Sequence, residues 1–122
     1  MELFGEQCPA TPKRGPVRTV LVVDDSRTNL AVFGKRLGHL GYLAVLSDNG
    51  AEALDLITAR GFDLVLLDMV MPAMSGLQVL GEIRGSRDTA DLPVIMLTGR
   101  SDPAAAVEAL AAGADDHLAK PF

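Results

Sequence analysis

The sequence has no tryptophan, a single tyrosine and one cysteine, and aromatic residues make up only 4% of its 122 positions. The lone thiol, Cys8, has no internal partner for a disulfide, so a reducing, cytoplasmic setting is the expectation. No apolar run approaches the roughly 20 residues that a membrane helix needs. The N-terminus lacks the basic-then-apolar layout of a secretory leader. A basic excess is missing too. Lys and Arg number 11 against 16 Asp and Glu, for a net charge of −5. That balance argues against direct nucleic-acid binding, because a phosphate backbone wants a basic patch.

What remains is an ordinary globular composition, 48% hydrophobic and 22% charged, of a length that suits one domain. Residues 1–17 read as a tail, because Pro9, Pro12 and Pro16 with Gly5 and Gly15 prevent a regular element. The domain is expected over residues 18–122. Val20 to Val23 is a short, wholly apolar run, the mark of a strand buried on both faces. Ser26 sits at a helix N-cap position, with Leu30, Phe33, Leu37 and Leu40 at helical spacing behind it and Gly41 as the stop. Strands are then expected at 42–46, 63–67, 93–97 and 115–119. Helices are expected at 51–60, through Leu77, Leu80 and Ile83, and from Pro103 to Gly113 with Asp102 as its cap. Asn49-Gly50 reads as a turn.

Five strands alternating with four helices imply an α/β fold with a doubly wound parallel sheet. The flavodoxin-like strand order 2-1-3-4-5 is the expectation, and ligands of such sheets bind beyond the carboxyl ends of the strands. At those ends lie Asp24 and Asp25, Asp68, Thr98 and Lys120. Singly, each is an ordinary cap, turn former or solvated charge. Jointly they form a cluster of three carboxylates. Two unit charges about 4 Å apart repel by about 4 kcal/mol at an effective dielectric of 20, so the cluster needs a cation. Carboxylate oxygens with room for water suit Mg²⁺ or Mn²⁺. A carboxylate is already ionised at neutral pH and can attack phosphorus to give an aspartyl phosphate. A metal ion, an ammonium such as Lys120 and a hydroxyl such as Thr98 would hold the transferred group.

The segments Val-Val-Asp24-Asp25-Ser, Leu-Leu-Asp68-Met-Val-Met-Pro72-Ala-Met-Ser-Gly76, Met-Leu-Thr98-Gly and Gly-Ala-Asp-Asp-His117-Leu-Ala-Lys120-Pro121-Phe resemble the response-regulator receiver domain of two-component signalling. The resemblance runs from about Thr19 to Phe122. It implies that Asp68 is the phosphoacceptor. It implies that Asp24, Asp25 and the backbone carbonyl of Val70 join Asp68 around the metal, and that Lys120 pairs with Asp68 and then with the phosphoryl group. Thr98 would be the switch hydroxyl and His117 its partner, at a position where the family often has Tyr or Phe. A cis bond before Pro121 is implied as well. Val70 and Arg100, two residues past Asp68 and Thr98, would tune the lifetime of the phosphorylated state.

The implied partners are a histidine kinase or histidine phosphotransfer protein, and an output module read through the fourth helix and fifth strand. Ala104, Ala105, Ala109 and Ala112 would leave that helix thinly clothed and open to a partner. The family continues into a fifth helix, which is absent from this chain. A fragment of a longer protein, cut before that helix, is the favoured expectation, with self-association or cover by Leu3 and Phe4 of the tail as alternatives. The protein is expected to act on its own modification and not as an enzyme on other substrates. A pseudo-receiver scaffold that binds partners without phosphorylation is the second reading. A phosphatase with an aspartate nucleophile would want a second carboxylate where Val70 stands.

Overall fold

The computed structural model describes residues 18–99 and 103–119. The chain alternates β1 (Thr19–Val23), α1 (Arg27–His39), β2 (Leu43–Ser47), α2 (Gly50–Ala59), β3 (Leu64–Asp68), α3 (Gly76–Gly85), β4 (Val94–Thr98), α4 (Pro103–Ala111) and β5 (Asp116–Ala119). All strand pairs are parallel, and the order across the five-stranded sheet is β2-β1-β3-β4-β5. This is the expected doubly wound arrangement.

Strand periodicity divides the apolar residues between two faces. Leu21, Val23, Val65, Leu67, Val94 and Met96 join one core with side chains of α2, α3 and α4, among them Ile57, Leu80 and Ala109. Val20, Val22, Leu66 and Leu97 form a smaller core with Leu30 of α1, against which Phe33 and Leu37 pack. Leu21, Leu67, Leu80 and Met96 are fully buried, each worth about 1.5–3 kcal/mol relative to exposure. Helix starts follow local chemistry. The Ser26 hydroxyl accepts the Asn29 N–H to cap α1, and Ser75 with Gln78 forms a reciprocal capping box at α3.

Several expectations shift. The second, third and fourth strands start and end one residue later than expected, so β3 ends on Asp68 and β4 on Thr98. Both residues are still paired in the ladder, with Leu97 and Ala119 respectively. Asn49 and Gly50 form no free turn: Asn49 is the N-cap of α2 and Gly50 its first residue. Leu40 is 71% exposed and outside the core, because the helix ends there and Gly41 turns the chain away at φ +92°. The alanines of α4 do not all face a partner. Ala105 and Ala109 are buried against the sheet, and the exposed apolar side chains are Val107, at 68%, and Leu110. Lys120, Arg100, Asp102, Pro121 and the tail through residue 17 lie outside the described residues.

The amino ends of the strands are tied by one side chain. Arg84, at the end of α3, donates from Nε to the Gly113 carbonyl at 2.8 Å and from Nη1 to the Leu92 carbonyl at 2.7 Å. Its Nη2 meets Asp115 Oδ2 at 2.9 Å, and the same oxygen accepts the Val94 N–H at 2.8 Å. Gly113 makes this possible with φ +113°, where a side chain would be strained and would press on the Arg84 stem.

Candidate functional site

The carboxyl rim is assembled from the ends of three neighbouring strands. Asp24 follows β1 and is wholly buried. Its backbone N–H donates to the Ser47 carbonyl at 3.1 Å, which fixes it against β2. Its Oδ1 accepts the Ser26 N–H at 2.9 Å and its Oδ2 accepts from Asn29 Nδ2 at 3.0 Å. Asp25, next in the chain, is exposed. Asp68 closes β3 and is buried, and its Oδ1 accepts a long bond of 3.4 Å from the Val70 N–H. One carboxylate oxygen from each of Asp24, Asp25 and Asp68 lies within 4.8 Å of the other two.

That spread suits a small divalent cation. Two oxygens on opposite sides of a Mg²⁺ ion with bonds of about 2.0–2.1 Å stand about 4.2 Å apart, so a small adjustment closes the set. The donors are hard oxygens, two of them held by buried residues and the third open to solvent, which leaves room for water and phosphate. A cleft of about 580 Å³, lined in part by Arg60, Phe62, Arg87 and Leu92, lies below α2 by the amino ends of the strands. The acidic rim is singled out by its chemistry.

The loop behind Asp68 is shaped by close backbone approach. A Cβ on Gly76 would lie 2.2 Å from the Asp68 carbonyl oxygen, so only glycine lets α3 begin there. Ala73 holds φ +66°, a left-handed conformation rare outside glycine. Val70 stands 77% exposed beside the acids.

Thr98 is buried at the end of β4, and among the described residues its hydroxyl donates a long bond of 3.4 Å to the Leu118 carbonyl. His117 pairs with Met96 in the ladder, which puts it on the same sheet face as Thr98. Its ring is half-buried, and Nδ1 is buried without a hydrogen-bond partner. The structure thus brings Asp24, Asp25 and Asp68 together, with Val70 beside them, Thr98 on the same rim and His117 one strand away. Two participants were not foreseen. Asn29 supports Asp24, and buried Ser47 donates to Glu52 Oε1 at 2.8 Å behind the rim. Asn29 was findable, since it stands in the first turn of the helix that Ser26 caps, on the strand-end side.

A family model described as the response regulator receiver domain matches residues 20–122. The response regulator MprA of Mycobacterium sp. (strain KMS) is 45% identical over 107 residues, covering 88% of this chain and 45% of that protein. The chain therefore spans a little under half the length of the curated relatives it matches. Among solved structures, a putative response regulator from Chloroflexus aurantiacus superposes with a TM-score of 0.85 at 34% identity, covering 88% of each chain. Chemotaxis protein CheY4 of Vibrio cholerae superposes at 0.82 and 32% identity, covering 88% of this chain and 89% of that one.

Proposed function

Because the chain belongs to the response regulator receiver domain family, we propose that it is a phosphoacceptor switch in which Asp68 takes a phosphoryl group from a phosphohistidine. The observation that carries this reading is the convergence of Asp24, Asp25 and Asp68 oxygens within 4.8 Å at the carboxyl rim. Like charges gathered this closely are costly unless a cation offsets them, and the same cation can then accept the oxygens of an incoming phosphoryl group. Asp24, Asp25, Asp68 and the Val70 carbonyl would hold Mg²⁺ or Mn²⁺. When bound, the ion supplies positive charge that offsets the carboxylates and the phosphoryl oxygens.

The rest is work for the chain's own groups. A carboxylate oxygen of Asp68 forms the new P–O bond as the P–N bond to the donor imidazole breaks, and the imidazole leaves with the electron pair and takes up a proton. The Val70 N–H, already aimed at Asp68 Oδ1, steadies the nucleophile. Thr98 has little to lose by turning, because its resting bond to the Leu118 carbonyl is long at 3.4 Å. A shift of its hydroxyl to a phosphoryl oxygen, with Lys120 offsetting charge, is the local event. His117, on the same face, is the residue placed to respond. Exposed Val70, with Arg100, would govern how water reaches the aspartyl phosphate. The donor would be a histidine kinase or histidine phosphotransfer protein, and the output partner would read α4 and β5. No described helix is long and apolar enough to cross a membrane, and a cytoplasmic setting accords with this chemistry.

The test is incubation with acetyl phosphate and Mg²⁺. A labile mass increase of one phosphoryl group is expected, lost in Asp68→Asn and lost on metal chelation. The label on Val70→Asn should decay faster, and His117→Phe should alter partner affinity without altering labelling. No label on the unsubstituted chain would favour a scaffold that binds partners unphosphorylated.

A further inference from the structure

A carboxylate with no exposed surface must be matched by donors or it drives the chain apart. Asp24 is such a group, and it stands among like charges. Two donors reach it from the start of α1. The Ser26 N–H is backbone and comes with the chain direction, whereas the Asn29 amide is a side-chain choice, 3.0 Å from Oδ2. The helix does not require that amide. The cap of α1 is the Ser26 hydroxyl, which accepts the backbone N–H of Asn29 at 3.3 Å whatever side chain residue 29 carries. Asparagine is also a weaker helix former than leucine or alanine.

We propose that Asn29 is a positioning residue of the metal site: its amide orients the Asp24 carboxylate before the cation arrives, without itself touching the ion. The assignment rests on the metal site proposed above and names a residue outside its acidic set. The two oxygens of Asp24 are engaged by the N-cap of α1 and by its first turn, which orients the carboxylate relative to β1. Among the described residues no donor braces the side chain of exposed Asp25, which leaves it to adapt to the ion. One acid is preset and its neighbour adjusts. Outer groups that orient a ligand in this way typically change metal affinity by about 10–100-fold when removed.

Asn29→Leu keeps the approximate shape and removes the donor, and Asn29→Gln keeps an amide. Calorimetric titration of the full chain with Mg²⁺ is expected to give about a tenfold weaker Kd for Asn29→Leu, with Asn29→Gln recovering part of the loss. Melting temperature in EDTA should fall for Asn29→Leu, because buried Asp24 loses a donor and better helix propensity offsets only part of that, and Asn29→Gln should recover it together with the Kd. Labelling by acetyl phosphate at saturating Mg²⁺ should return close to the unsubstituted rate. An unchanged Kd in Asn29→Leu overturns the assignment. So does a Kd loss that comes with a lower melting temperature in EDTA and no recovery in Asn29→Gln, which would make Asn29 an ordinary structural donor. If the unsubstituted chain binds no Mg²⁺, the metal site fails and this assignment fails with it. A normal Kd there and in Asn29→Leu sinks only the role of Asn29.

Discussion

At the amino ends of the strands, Arg84 meets the carbonyls of Leu92 and Gly113 and the carboxylate of Asp115, all within 2.9 Å. At the carboxyl ends, Asp24, Asp25 and Asp68 bring three carboxylates within 4.8 Å of one another. The first rim places opposite charges in contact and satisfies them on the spot. The second gathers like charges, with hydrogen bonds to Asp24 and Asp68 that orient them. Burial differs in the same sense. Asp24, Asp68 and Thr98 are polar and buried at the carboxyl rim, while Asp115 is exposed at the other end. Opposite charges in contact are what a fold uses for stability, and like charges gathered at the rim of a parallel sheet are a candidate for function.

The largest expected effect lies in the backbone that carries the acidic rim. Gly76→Ala sets a Cβ 2.2 Å from the Asp68 carbonyl oxygen and 2.8 Å from the Met69 Cα, and neither backbone atom can step aside cheaply. The cost should be about 3 kcal/mol, near the top of the range for overpacking, measured as a lower urea midpoint. Labelling of Asp68 should fail as well. A variant that unfolds at the original midpoint would show that the loop can retreat and that the rim is softer than described.

Arg84→Ala breaks the other rim. Loss of the bonds to the Gly113 and Leu92 carbonyls and to Asp115 should cost about 2 kcal/mol, discounted because the Arg84 side chain keeps some contact with water. Arg84→Lys should recover little, because one ammonium cannot serve three directions at once. Mg²⁺ affinity should stay as it was. A changed affinity would mean that the two rims are coupled, and the division of labour between them would fall.

These two rims were unequally legible in the sequence. Strand ends after apolar runs put Asp24, Asp25, Asp68 and Thr98 at one edge, because parallel topology leaves few alternatives. That Asp68 and Thr98 are themselves paired in the ladder was hidden, since a polar residue at a strand end carries no apolar signal. The Arg84 clamp was not legible at all. Its partners are mostly backbone carbonyls, 29 and 8 residues away, which no residue pattern marks. The facing of α4 was misread because small residues signal close approach without saying to what. Ala105 and Ala109 approach the sheet, while Val107 and Leu110 face outward. Asn29 looked like an ordinary polar residue in a first turn, and only the buried state of Asp24 gives its amide a task.

The smallest expected effect is also the one that most sharpens the comparison, because its sign depends on the metal. Asp25→Asn removes one of three neighbouring charges at an exposed position, with little packing to lose. Without metal the variant should be more stable by about 0.5 kcal/mol, modest because solvent screens the exposed carboxylate. With Mg²⁺ the order should invert. A ligand at a hundredfold excess over its Kd stabilises the native state by about 2.7 kcal/mol, and the variant, lacking one ligand, should gain much less. Urea unfolding of both proteins in EDTA and in Mg²⁺ gives four midpoints, and the expected result is a crossing. If Asp25→Asn is less stable in EDTA as well, the carboxylates do not repel in the resting domain, and the acidic rim is balanced by the protein's own groups in the same way as the rim held by Arg84.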